Sequence, residues 1–275
     1  MIDLKSLVRT DLAPKPPIIT LYGTGKIGKS TLAASFPNPV FIRTEDGTDN
    51  LAVDAFPLAN TFKDVTEALT SLCGDHDFQT LVVDSLDWLE PLIWNEVAED
   101  CGAASINDES CKALTYGKGM ALAADKWRDK YLKAINFLRD SKEMTIVQIA
   151  HNQIKRFDAP DTDPYDRYGI KLHAKAAALV SEDSDIIFFA NYKTFTKEKD
   201  VGFNKNVTRA LGNGQRVLHT TETPAWQAGN RYGMPAEITL NLSDDGLCDI
   251  KTILKHIPYF KNKKKSKSST QTKGN

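Results

Sequence analysis

The sequence predicts an α/β fold, with a mostly parallel central sheet flanked by helices and extended by antiparallel strands at the C-terminal end. Three observations predict it. Short β-branched apolar runs alternate with segments of helical periodicity, the rhythm of parallel strands joined by helical crossovers. One such run enters a glycine-rich turn that opens into a helix, and a later one ends in an aspartate. Beyond residue 185 the helical segments give way to apolar runs broken by Gly-Asn-Gly, which reads as hairpins extending the sheet.

Residues 1–16 carry Pro14 and Pro16 and read as a lead-in segment, with Pro17 directly before the first strand. Ile18 to Thr31 then reads I-I-T-L-Y-G-T-G-K-I-G-K-S-T, which fits the phosphate-binding P-loop, G-x-x-x-x-G-K-[ST]. Gly23, Gly25 and Gly28 allow φ > 0 and bring backbone N–H groups up to phosphate oxygens. With Thr24 and Lys26 they complete the loop. Lys29 would reach the β/γ-phosphates, Ser30 would place its hydroxyl on Mg²⁺, and Thr31 would back the adjacent phosphate, at the head of a helix over Lys29 to Phe36.

P-N-P at 37–39 is a turn, Val40 to Thr44 a buried strand ending in Glu45-Asp46-Gly47, and Phe62 to Cys73 an amphipathic helix. The third strand, Phe78 to Asp84, ends in an acid placed to hold the Mg²⁺ water shell opposite Ser30. Ser85 is then the N-cap of a Leu86 to Glu99 helix. Cys101 to Met120 is read as an irregular loop, and Ala124 to Arg139 as a helix with Trp127, Tyr131, Ile135 and Leu138 on its core face. Met144 to Ala150 is the fourth strand, running into His151-Asn152-Gln153. Lys155 to Lys171, with Pro160 and Pro164 among many charges, reads as a mobile surface loop. A helix at Ala174 to Ser181 precedes strands at Asp185 to Tyr192, Val207 to Leu211, Arg216 to Thr220 and Ile238 to Leu242.

The chain has 275 residues, 41% hydrophobic and 26% charged, enough for one large α/β domain over 17–260. Net charge is −1, but residues 261–275 hold six lysines and no acid, which leaves −7 on residues 1–260. The lysine-rich segment is expected to be a disordered tail, and the acidic body cannot hold nucleic acid by a general basic field. No apolar run suits a bilayer span or a signal peptide, so the expectation is a cytoplasmic protein with no membrane association. The four cysteines and five histidines lack metal-ligand spacing, leaving Mg²⁺ as the only expected metal.

With these motifs in place the chain resembles the RecA-like branch of the P-loop ATPases, specifically the compact phage-encoded RecA-core proteins of single-strand annealing and recombination. The resemblance spans residues 17 to 242 in element order. It implies ATP and Mg²⁺ as cofactors, ATPase activity stimulated by DNA, and a homo-oligomeric ring or filament in the host cytoplasm, with a single-strand-binding or replication protein as a further partner. V-F-I-R-T-E places Glu45 where that branch carries its catalytic base, with Asp46 the substitute. His151 stands where the γ-phosphate is sensed, or Gln153 serves instead. Arg231, or Arg209 in reserve, is the candidate finger reaching a neighbouring subunit's ATP. The segments after strands three and four would hold single-stranded DNA through Lys112, Tyr116, Lys118, Lys155, Arg156, Phe157 and Arg167, by phosphate contact and base stacking. A nucleotide-switched adaptor or loader and a small-molecule kinase are the alternative functions.

Overall fold

The computed structural model describes residues 13–47, 51–158, 160, 162–200, 206–241 and 248–261, with 195–200 and 206–213 described by backbone alone. Among the described residues ten strands form one sheet: β1 (Ile18–Gly23), β2 (Pro39–Arg43), β3 (Asp54–Ala55), β4 (Thr80–Asp84), β5 (Thr145–Phe157), β6 (Tyr165–Ile170), β7 (Ile186–Asp200), β8 (Asn206–His219), β9 (Gly229–Asn230) and β10 (Glu237–Leu240). The order is β10-β8-β7-β1-β5-β4-β2-β3, with β6 on β5 and β9 on β7. β7, β1, β5, β4, β2 and β3 pair in parallel, and β8 and β10 continue antiparallel. The expected architecture is therefore present, down to the antiparallel extension.

Alternation along β1 builds two cores, because successive side chains point to opposite faces. Ile18 and Tyr22 join the larger cluster, beneath α2 (Phe62–Ser71), α3 (Leu86–Asp100), α4 (Lys118–Lys126), α5 (Lys133–Ser141) and α6 (Ala174–Asp183). Ile19 and Leu21 face the other way, onto α1 (Lys29–Ala34) and the C-terminal segment, where α7 (Lys251–Leu254) contributes Ile253 and the residues after it contribute Ile257 and Tyr259. Helix α2 starts as its sequence dictates: Thr61 accepts from the Asp64 N–H at 3.1 Å while the Asp64 carboxylate accepts from the Thr61 N–H at 2.8 Å, a reciprocal capping box.

Four expectations are corrected. Lys155 to Lys171 is a hairpin: β5 runs on past Ala150 to Phe157, and Asn152–Phe157 pair antiparallel with β6, so backbone groups assigned to a loop are satisfied by a ladder. Pro160 and Pro164 mark only its turn. The helix assigned to Ala124–Arg139 begins at Lys118, after Gly117 in a left-handed conformation, and passes through a π-helical turn at Trp127–Leu132. Trp127, Tyr131, Ile135 and Leu138 are all buried, as expected. Gly212–Gly214 form no turn. They lie within β8, where the register slips between Tyr192↔Arg216 and Thr194↔Gly212, so the glycines serve a bulge. Ser85 occupies the N-cap position of α3 but makes no capping bond through its side chain. The tail at 262–275 lies outside the described residues.

Candidate functional site

β1 lies between β5 and β7, and its last residue, Gly23, stands beside His151 of β5 and Ala190 of β7. A side chain at 23 would run into the Ala190 carbonyl oxygen, so the loop can leave the sheet here only from glycine. Lys26 (φ 62°) and Gly28 (φ 99°) take left-handed conformations and curl the backbone ahead of α1. Lys29 is 7% exposed, and its Nζ donates to the carbonyls of Gly23 (3.2 Å) and Thr24 (3.0 Å). Burial lowers its pKa, against the pull of Asp84, Glu45 and Asp87.

Ser30 Oγ donates to Asp84 Oδ2 at 2.6 Å, which brings the P-loop helix and the end of β4 together. The other oxygen, Asp84 Oδ1, is buried and accepts from no fixed donor among the described residues, and the Thr24 hydroxyl is likewise unpartnered. An unsatisfied carboxylate oxygen beside a serine hydroxyl has the chemistry of a hydrated Mg²⁺ site, and these residues fit that ion.

Glu45 is brought to the same place by the end of β2. Thr44 Oγ1 donates to the Ser85 carbonyl (2.6 Å) and accepts from the Ser85 N–H (2.8 Å), while the Thr44 N–H bonds the Asp84 carbonyl (2.8 Å). This staple holds Glu45 against Asp84. Burial and then the Asp84 charge raise the Glu45 pKa, opposed by His151 and Lys29. Burial also raises Asp84, against the Ser30 hydrogen bond and the Lys29 charge. Two neighbouring carboxyls that both resist ionisation form a site that favours positive charge between them.

His151 is held from two sides by Asp87, in the first turn of α3: its N–H reaches Oδ1 at 2.9 Å and its Nδ1 reaches Oδ2 at 3.0 Å. Lys171 Nζ lies 3.4 Å from the same carboxylate. Burial works to raise the Asp87 pKa, but the His151 side-chain and backbone hydrogen bonds prevail and hold it at about 2. One turn on, Glu90 accepts the His173 N–H on both oxygens at 3.0 Å, and burial pushes its pKa up to about 7 despite that bond and the Lys155 charge. Asp87 and Glu90 were not singled out from sequence. The signal was an acid at i and i+3 on the inward side of a helix following the Asp84 strand.

Residues 15–232 match the family described as AAA domain. The chain belongs to that family. No curated protein matches this AAA domain. Among solved structures it is similar to that of the RadB recombinase, at 14% identity and a TM-score of 0.45 over 86% of this chain and 91% of the other.

The fold of this AAA domain thus gathers Lys29, Ser30, Glu45, Asp84 and His151 around Gly23–Gly28. Gln153 is committed elsewhere, since its amide donates to the carbonyls of Ile170 (2.9 Å) and Leu172 (3.2 Å), and Asp46 is exposed. Arg231 pairs with Asp185 at 3.0 Å, at the end of the sheet where β1 and β7 begin, away from the P-loop. Arg209 lies in β8 opposite Lys197. Lys112, Tyr116 and Lys118 are exposed, Tyr116 at 99%. On the β5–β6 hairpin Lys155 bonds the Leu172 carbonyl (2.9 Å), and Arg156 pairs with Asp158 (3.5 Å). Arg167 bonds Glu222 (2.8 Å) and covers the Phe157 ring at 4.9 Å, leaving its side chain 11% exposed. Among the described residues no helix is long and apolar enough to cross a membrane.

Proposed function

We propose that this chain is a Mg²⁺-dependent ATPase of the RecA-like class that works on single-stranded DNA as a homo-oligomer. The observation that carries the reading is the Ser30–Asp84 bond at 2.6 Å with Glu45 stapled alongside, at the carboxyl ends of parallel strands where α/β sheets bind ligands. Thr24, Gly25, Lys26 and Gly28 offer backbone amides to phosphate, Lys29 offers its ammonium, and Thr31 backs the loop from α1. Ser30 and Asp84 would hold Mg²⁺, which neutralises charge on the phosphates when bound. Glu45 accepts the proton of the attacking water, its raised pKa bringing it nearer the working pH. His151, fixed through Nδ1 by Asp87, keeps Nε2 for the phosphate end of the site.

Coupling to DNA follows from α3. Asp87 holds His151 and Lys171, while Glu90 holds the His173 N–H and faces Lys155, so one helix touches both the sensor strand and the base of the β5–β6 hairpin. Movement at His151 is therefore delivered to the hairpin. Arg156 and Phe157, together with Lys112, Tyr116 and Lys118, are the groups available for phosphate contact and stacking; Arg167 acts by bracing Phe157. The test is ATP hydrolysis with and without single-stranded DNA, alongside a scan of small phosphate acceptors. DNA-stimulated turnover is expected. Turnover only with a small acceptor would make the protein a kinase, and nucleotide binding without DNA response would favour an adaptor or loader.

A further inference from the structure

Arg216 stands out among the arginines. Arg43, Arg128, Arg139, Arg156, Arg167 and Arg231 each hydrogen-bond or ion-pair within the chain, whereas Arg216 has no such partner among the described residues. It is only partly exposed. A guanidinium stays charged at any working pH, and holding one partly out of water without an anion is costly.

Its position explains the cost. Arg216 lies in β8, opposite Tyr192 of β7 and Leu240 of β10, two residues before Leu218, which belongs to the core beneath α1. Its Nη1 lies 3.1 Å from where a Cβ on Gly28 would stand. The guanidinium therefore occupies the side of the P-loop that glycine leaves open, one residue before Lys29. The Cys248 thiol is also near; burial raises its pKa and Arg216 works to lower it. None of these neighbours neutralises the charge, and the planar N–H fork suits bidentate contact with phosphate oxygens.

We propose that Arg216 is a second phosphate-holding cation of the nucleotide site, reaching it in cis from β8 on the flank of Gly28. This rests on the reading of the P-loop as an ATP site. It also assigns β8 a part in nucleotide binding, so that strand, beyond the parallel part of the sheet, takes part in the site.

The experiment compares ATP, ADP and AMP affinities of the full chain with those of Arg216→Ala, Arg216→Gln and Arg216→Lys, by equilibrium titration at two salt concentrations. A lost charge-assisted hydrogen bond of about 1.5–3 kcal/mol corresponds to a weakening of roughly tenfold to a hundredfold. Arg216→Ala and Arg216→Gln should both weaken ATP and ADP by that factor and flatten the salt dependence. Arg216→Lys should recover part of it, with the nucleotide-free melting temperature held in all three. Wild-type ATP binding with unchanged affinity in the variants overturns the proposal alone. A variant that melts lower without nucleotide yet binds ATP normally overturns it too, as a structural role. Wild-type protein that binds no nucleotide overturns both this proposal and the ATP-site reading.

Discussion

Asp87→Asn tests the device that holds His151. The carboxylate is 2% exposed and takes bonds from the His151 backbone and ring, with Lys171 at 3.4 Å. Burial works to raise its pKa, but the His151 hydrogen bonds prevail and depress it from the usual 3.8 to about 2. At about 1.36 kcal/mol for each tenfold change in proton affinity, that depression corresponds to roughly 2 kcal/mol of stability at neutral pH. The folded value lies below the unfolded one, so the contribution is fully present above about pH 5 and declines as pH falls through 3.8 toward 2. At pH 3 roughly half of it should remain. Asparagine keeps the shape and one acceptor but not the charge. Urea unfolding of both proteins between pH 3 and pH 8 should therefore give a gap of about 2 kcal/mol above pH 5 that roughly halves by pH 3. A gap that is absent, or constant across that range, would refute the assignment of Asp87 as the charged anchor of His151.

Glu45→Gln should bind ATP yet hydrolyse it at least about a hundredfold more slowly in single-turnover assays, the scale for a lost general base; intact hydrolysis would leave Glu45 without a catalytic role. Glu90→Gln should be stabilising at high pH, because the folded value of about 7 lies above the usual 4.5 and charging the buried carboxyl costs stability progressively between those values. Its melting temperature relative to wild type should be unchanged below pH 4.5 and rise up to about pH 7. Single-strand affinity should fall steeply with salt and weaken in Lys112→Ala/Lys118→Ala, while Arg156→Ala should lower DNA-stimulated turnover more than ATP binding. Salt-independent DNA binding in a filter or anisotropy titration would remove those lysines from the interface.

Local pattern determined a good part of this protein. The P-loop, the strand ending in Asp84, the glutamate after β2 and the alternation of strand and helix are each written in contiguous residues, because periodicity, glycine placement and strand-end acids act over a few positions. Pairing was not local. The β5–β6 hairpin looks like a loop in sequence because its charges and prolines describe solvent exposure, and only the partner strand shows that its backbone is bonded. Gly212–Gly214 suggest a turn for the same reason, since bulge and turn both draw on glycine. The roles of Asp87, Glu90 and Arg216 came from contacts that bridge α3 to β5 and to the start of α6, and β8 to the P-loop, between residues far apart in the chain. Tertiary structure decided them because a charge takes its function from whichever group packs against it, and only the packed fold brings those groups within reach.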